Sequence, residues 1–266
     1  MKTENIRRRH IAHDTYLRQA ITILQQRKDA ELPVSFDVFS GIAKSIESIF
    51  SAILNCADDS NIYACSVLYR SLIEHFHKGF ILVNELVINR SDESSVHYQQ
   101  HLFLAEFIAE QMGCLESDDI IAGNMIKTNV LKYIADKFPG LDIEKENQQE
   151  VSIATKKFSF KEIVKKLHAE FSEKSSTKPV ADFFTKMLPE YSRFSTFTHG
   201  GPHAQLITKN LEAKGLEEEL DRLAEISLTA LCIIKEHLLM CFKLERDEAF
   251  SLLSMLHKLR AESNSK

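Results

Sequence analysis

Apolar residues recur every three or four positions along most of this chain, and that spacing predicts a succession of amphipathic helices. The first runs from about Thr3 to Lys28, with Ile6, Tyr16, Leu17, Ala20, Ile21 and Leu24 on its apolar side, and Leu32-Pro33 ends it. A second, from about Ser35 to Cys56, carries Val38, Ile42, Ile46, Ile49, Phe50 and Ile53 at helical spacing. Asp58-Asp59-Ser60-Asn61 offers cap residues for a third helix reaching about Asn89. Ser91-Asp92-Glu93 opens a fourth, with Gly113 as its stop, and Ser117-Asp118-Asp119 a fifth that ends near Phe138-Pro139-Gly140. Helices are expected again over 159–172 and 180–199, followed by a break at Gly200-Gly201-Pro202. The last long helix, 215–244, turns Leu216, Leu220, Leu223, Ile226, Leu231, Ile234 and Leu238 inward, and a shorter piece covers 246–261.

No repeat of 20–50 residues runs through the chain, which argues against a solenoid. The expected fold is all-α, a non-repeating bundle of long amphipathic helices. It divides into a basic helix at 1–32, a bundle domain at 33–262 with a polar loop near 141–158, and a disordered tail at 263–266. Composition agrees with long elements. Only 8 glycines and 5 prolines punctuate 266 residues, too few for the turns of a sheet protein.

The most apolar run, Ile226 to Phe242, is broken by Lys235, Glu236 and His237, and falls short of the roughly 18–20 apolar residues of a membrane span. The N-terminus lacks the apolar segment of a signal peptide. Five widely spaced cysteines, an odd number without a C-x-x-C, read as buried free thiols. The expectation is a cytoplasmic protein with no membrane partner.

Net charge is −5, so no global field draws the chain to nucleic acid. Locally, Arg7-Arg8-Arg9 form a basic run that either contacts phosphate or lines a solvated helix face. Glu217-Glu218-Glu219 read as a solvated face.

Two helices carry polar residues where the pattern asks for apolar ones. In Tyr69-Arg70-Ser71-Leu72-Ile73-Glu74-His75-Phe76-His77, helical geometry projects Glu74 and His77 each within roughly 40° of Arg70. Their flanks are strongly apolar, so this stripe borders or enters the core, and Arg and Glu four apart pair. In Tyr191-Ser192-Arg193-Phe194-Ser195-Thr196-Phe197-Thr198-His199, the residues Tyr191, Ser195 and His199 recur every four positions. A hydroxyl ladder ending in an imidazole suits general acid–base work, because histidine titrates near neutrality. The structural alternatives are an internal Arg70–Glu74 pair that fixes helix register, and a His199 that caps a helix C-terminus. His97 and His101 share metal-ligand spacing without a third ligand, so neither a metal nor a cofactor is expected.

The run Arg193-Phe-Ser-Thr-Phe-Thr-His199 resembles the R-x(4–6)-H signature of the HEPN (higher eukaryotes and prokaryotes nucleotide-binding) superfamily. The Arg-Ser-Leu-Ile-Glu helix followed by a Tyr-x-x-x-Ser-x-x-x-His-Gly helix also looks like an uncharacterised bacterial helical family, over roughly 35–245. The superfamily resemblance implies a helical bundle and a metal-independent ribonuclease of antiviral defence or toxin–antitoxin type. It further implies a homodimer with a composite site, since Arg193 and His199 point about 120° apart in one straight helix. RNA would be the substrate. His199 would exchange the proton of the 2′-hydroxyl or leaving oxygen, Arg193 or Arg70 would stabilise phosphate charge, and Ser195, Tyr191 and Glu74 would orient them. The rival expectation is a non-catalytic interaction module that binds a partner protein, its polar cluster a register-setting network.

Overall fold

The computed structural model describes residues 3–26, 32–123, 130–138, 153, 156–173, 177–213 and 215–241, with backbone alone at 16–26, 101, 103 and 238–241. Helix accounts for 91% of these residues, and no strand occurs among them. The helices are α1 (Thr3–Gln26), α2 (Pro33–Asp58), α3 (Ile62–Asn89), α4 (Glu93–Ile121), α5 (Val130–Lys137), α6 (Phe160–Ser172), α7 (Lys178–Thr198), α8 (Pro202–Ala213) and α9 (Leu216–Cys241). The all-α expectation therefore holds. The polar loop near 141–158 falls almost wholly outside the described residues, as do the 246–261 piece and the tail.

Local chemistry explains where these helices begin. Asn61 caps α3, its side chain accepting from the Ala64 N–H at 3.0 Å. Leu32 precedes α2 and has no side chain that can cap. The carboxylate of Asp92 does that work from a distant part of the sequence, accepting from the N–H groups of Val34 (3.2 Å) and Ser35 (2.9 Å).

The described residues form two compact units, one drawn from Met1–Asp92 and Val164–Lys266, the other from Glu93–Ile163. In the first, α2, α3 and α9 pack against one another, α1 lies on α9 and α2, α7 on α3, and α8 on α7 and α9. Phe39, Ile46, Phe50, Ile53, Leu54, Tyr69, Leu82, Leu223, Leu231 and Ile234 are buried there. Gly79 sets how closely α3 approaches its neighbours. A Cβ at this position would meet Ile234 Cδ1 at 3.0 Å and Ile42 Cγ2 at 3.1 Å. In the second unit, Ile108 and Leu115 of α4 pack with Val130, Leu131 and Ile134.

Three expectations need correction. Gly113 does not stop α4, which continues to Ile121. A mid-helix glycine costs about 1 kcal/mol, less than the burial of Leu115 in the next turn returns. Residues 117–121 thus belong to α4, and the fifth helix is the short α5. Helix α8 begins at Pro202 of the expected break and fills a stretch to which no element was assigned; its apolar stripe is short, with Ala204 its one buried residue. Among the described cysteines only Cys65 is buried; Cys56, Cys114 and Cys232 are half-buried, and all four are free thiols.

Candidate functional site

Aromatic rings fix how α7 lies on α3. Tyr63 meets Phe197 (centroids 5.3 Å apart), Tyr69 meets Phe194 (5.0 Å), and Phe80 meets Phe184 (4.7 Å). The start of α3 therefore faces the end of α7, and the two helices run antiparallel. This pairing carries the polar residues of both helices to one seam.

Arg70 is the centre of that seam. Its Nε donates to Ser195 Oγ at 3.1 Å, its Nη2 donates to the Tyr191 hydroxyl at 2.7 Å, and its Nη1 lies 3.3 Å from Glu74 Oε2. The guanidinium also sits 4.8 Å from the centre of the Tyr191 ring. The Ser195 hydroxyl in turn donates to the Tyr191 carbonyl at 2.7 Å. Lys78 adds a second cation 3.6 Å from Glu74. Burial and the Glu74 charge together hold the Tyr191 hydroxyl above its ordinary pKa, against the opposing effect of Arg70. Arg70 and Glu74 keep 26% and 28% of their side-chain surface exposed. The seam is half-buried and does not enter the core.

Four of the six expected residues meet here: Arg70, Glu74, Tyr191 and Ser195. Arg193 and His199 do not join them. Arg193 lies on the α9 side of α7, 3.4 Å from Glu219. There it belongs to a second network. Arg222 donates to both Glu219 oxygens (2.8 and 3.0 Å) and to Glu190 (2.7 Å), and the Tyr69 hydroxyl donates to Glu190 at 3.1 Å. Burial raises the pKa of Glu219, but the hydrogen bonds and charge of Arg222, with the charge of Arg193, outweigh it and leave the carboxyl below its usual value. The Glu217–Glu219 run is therefore not a uniformly solvated face, since the Glu219 side chain is only 12% exposed.

His199 ends α7 and is exposed. Its imidazole makes no hydrogen bond or ion pair among the described residues. Gly200 follows with φ of 63°, a left-handed turn that glycine adopts without strain. The Tyr63 hydroxyl donates to the Phe197 carbonyl at 2.6 Å and ties this turn to the start of α3.

His77 is corrected more sharply. Expected on the polar stripe with Arg70 and Glu74, it is fully buried beside Phe76 and Phe184 (5.5 and 5.2 Å). Burial pulls its pKa down to about 4. The basic run is half-buried and paired across to other helices at two of its three members. Arg7 pairs with Asp58 and Asn55, Arg9 with Glu225, and only the exposed Arg8 turns to Glu4 on its own helix.

One cluster of charged side chains escaped sequence reasoning. Lys235 is 2% exposed and lies 2.8 Å from Asp14 Oδ1 and 3.1 Å from Glu47 Oε2. His10 is 3.7 Å from the other oxygen of Glu47. His10, Asp14 and Glu47 bring donor atoms within 4.8 Å of one another, but the cation among these donors is the lysine ammonium. They form an ion cluster, not a ligand set. The signal for it was an interruption of the α9 apolar pattern at Lys235-Glu236-His237.

No family model matches the chain, and no solved structure matches it. A class E vacuolar protein-sorting machinery protein, HSE1 of Debaryomyces hansenii, is 29% identical over 129 residues, which is 48% of this chain. The match spans 23% of that relative's length. Among the described residues no helix is long and apolar enough to cross a membrane.

Proposed function

We propose that this chain is a non-catalytic helical interaction module of the cytoplasm, binding a partner protein through its outer helices. The observation that carries the reading is the saturation of Arg70. Its Nε, Nη1 and Nη2 each have a partner within the chain, so the guanidinium acts as a strut that holds α7 in register on α3. Arg193 is paired with Glu219 at 3.4 Å. The similarity of part of the chain to a component of protein-sorting machinery is in keeping with this reading.

A second reading is favoured by one feature, the exposed imidazole of His199. It stands one turn beyond Ser195 on the helix that carries the Arg-to-His run. In that reading the chain is a metal-independent endoribonuclease, or an inactive descendant of one, in bacterial defence or stress, and works as a homodimer. His199 exchanges a proton with RNA, and Arg193 would have to leave Glu219 to reach a phosphate.

Incubating the purified chain with total RNA, with and without a chelator, tests the choice. The module reading expects intact RNA under every condition, together with a lowered melting temperature for Arg70→Ala. Cleavage that disappears in His199→Ala overturns it.

A further inference from the structure

Helices α7 and α9 both pack on α3, but among the described residues they do not pack along one another. Helix α9 runs parallel to α3. Tyr69 and Arg222 share Glu190 at one end, and the rings of Phe80 and His237 lie 5.4 Å apart at the other. So α7 and α9 are antiparallel neighbours. The Glu190–Arg222 and Arg193–Glu219 pairs join them at the first end. Toward the other end they leave a trough over the half-buried ring of Phe80, which lies 4.7 Å from Phe184.

Both walls of the trough are apolar. On α7, helical geometry puts Val180, Phe183 and Met187 within roughly 80° of Glu190, the side that turns to α9. Val180 and Phe183 are 37% and 41% exposed, and Met187 is half-buried. On α9, Ile226, Ile233 and His237 lie within roughly 60° of Arg222 and are half-buried. A lone exposed apolar side chain is ordinary. Two rows of them across a trough make a seat for an amphipathic helix.

We propose that the occupant is this chain's own segment 246–261, folded back as a helix. Helix α9 ends at Cys241, one turn past His237 and so at the open end of the trough. Four residues separate Cys241 from position 246, within the roughly two to five of a helix hairpin, and a helix that follows returns antiparallel to α9. Ala249, Leu252, Leu253, Leu256 and Leu259 recur at the spacing of one apolar face. As a helix the segment is about 24 Å long, and the α9 wall from Arg222 to His237 is about 22 Å long. The tether favours this occupant over a second copy or a separate partner. A linked segment acts at an effective concentration on the order of millimolar. Docked there, it covers Val180 and Phe183 and closes the trough to any other helix. This docking does not rest on either reading of function.

Hydrogen–deuterium exchange of the full chain reads the docking. Residues 246–261 should be protected. Phe183→Asp, a charge at an exposed position of the rim, should lower that protection by about tenfold or more while α2 keeps its own. Val180→Asp makes the same comparison should Phe183→Asp also loosen α2. Fast exchange across 246–261 in the wild type overturns the proposal. So does protection that both variants leave intact, or that grows with protein concentration, the mark of a second copy. A labelled synthetic peptide of residues 243–262 supplies the complementary arm. It should bind the full chain carrying Leu252→Asp and Leu256→Asp, whose own segment is released, about tenfold or more tighter than it binds the wild type. Should the double variant unfold, Leu256→Ser alone serves. Equal affinity for released and wild-type chains, or binding to neither, overturns the occupant.

Discussion

Arg70 holds Tyr191 in two ways at once, donating to its hydroxyl at 2.7 Å and lying 4.8 Å from the centre of its ring. A guanidinium fixed both in plane and in position is a rigid connector. With Ser195 and Glu74 on its other nitrogens, it clamps α7 to α3 at one register. Arg70→Ala should therefore lower stability by about 1–3 kcal/mol, because hydroxyls and a carboxylate lose a charged partner in a half-buried seam. Arg70→Lys should recover only part of the loss, since a single ammonium cannot serve all three partners. Glu74→Ala should cost less, about 0–1 kcal/mol, because that pair is more than a quarter exposed. Thermal melts of the three variants check the order.

The second network gives a prediction with a pH sign. Glu219 has its pKa lowered in the folded chain, so its contribution to stability is present above the ordinary value of 4.5 and is lost as the pH falls through the lowered native value. Glu219→Gln removes that contribution at neutral pH and should flatten the acid limb of a stability curve below pH 4.5. An acid limb identical to that of the wild type would mean that Glu219 is not held by Arg222 and Arg193 in solution.

Two glycines on long helices should respond in opposite directions to the same change. At Gly79 an added methyl meets Ile234 and Ile42 at 3.0 and 3.1 Å, so Gly79→Ala should destabilise by about 1–3 kcal/mol through overpacking between α2, α3 and α9. At Gly113 nothing lies within 4 Å of the added atom, so Gly113→Ala should stabilise α4 by up to about 1 kcal/mol. Chemical denaturation of the two variants measures both. A stabilised Gly79→Ala would contradict the close approach of α3 to its neighbours.

His77 gives a second prediction with a pH sign. Its pKa is about 4 in the folded chain against 6.5 when exposed. The stability it contributes as a neutral ring is intact above pH 6.5 and declines steadily as the pH falls toward 4. His77→Met keeps an apolar side chain beside Phe76 and Phe184 and cannot titrate. Its melting temperature should fall less between pH 6.5 and 4.5 than that of the wild type, and an equal fall would remove His77 from the account of acid lability.

What the sequence disclosed, and what it concealed, follows from how far each signal reaches. Helices α2, α3 and α9 were legible because each buries a continuous stripe, and three and a half residues per repeat is a local property. Helix α8 was not, because it is only 12 residues long and opens directly on the Gly200-Gly201-Pro202 break, with Ala204, Ile207 and Leu211 as its whole apolar stripe. The i, i+4 pair Arg70–Glu74 and the Tyr191–Ser195 ladder could be read because each lies within one helix. That the two meet at 3.1 and 2.7 Å depends on aromatic packing between residues more than 100 positions apart. Lys235 was read only as a charge interrupting an apolar run; its partners Asp14 and Glu47 lie on other helices. Arg193 shares its short motif with His199, but the helix turns the two about 120° apart, and on its own face Arg193 meets the α9 carboxylate of Glu219.

His199 divides the two functional readings, and the geometry makes its variant unusually clean to interpret. The imidazole is exposed at the end of α7 and makes no hydrogen bond or ion pair among the described residues. His199→Ala should therefore change stability by no more than about 1 kcal/mol, the scale of a cation at a helix C-terminus. Loss of a general acid–base, by contrast, lowers a rate by about 10²–10⁴-fold. Any large effect of this substitution on RNA cleavage is then chemical, because the fold is left in place. The module reading expects wild type and His199→Ala to leave RNA equally intact, with and without chelator, and to melt within a degree or two of one another. The ribonuclease reading expects cleavage by the wild type, its survival in chelator, and its loss in His199→Ala. It also expects Glu219→Gln to raise activity by freeing Arg193. RNA left intact by the wild type and by Glu219→Gln alike would end the reading of an active ribonuclease, whereas cleavage abolished in a fully folded His199→Ala would end the other.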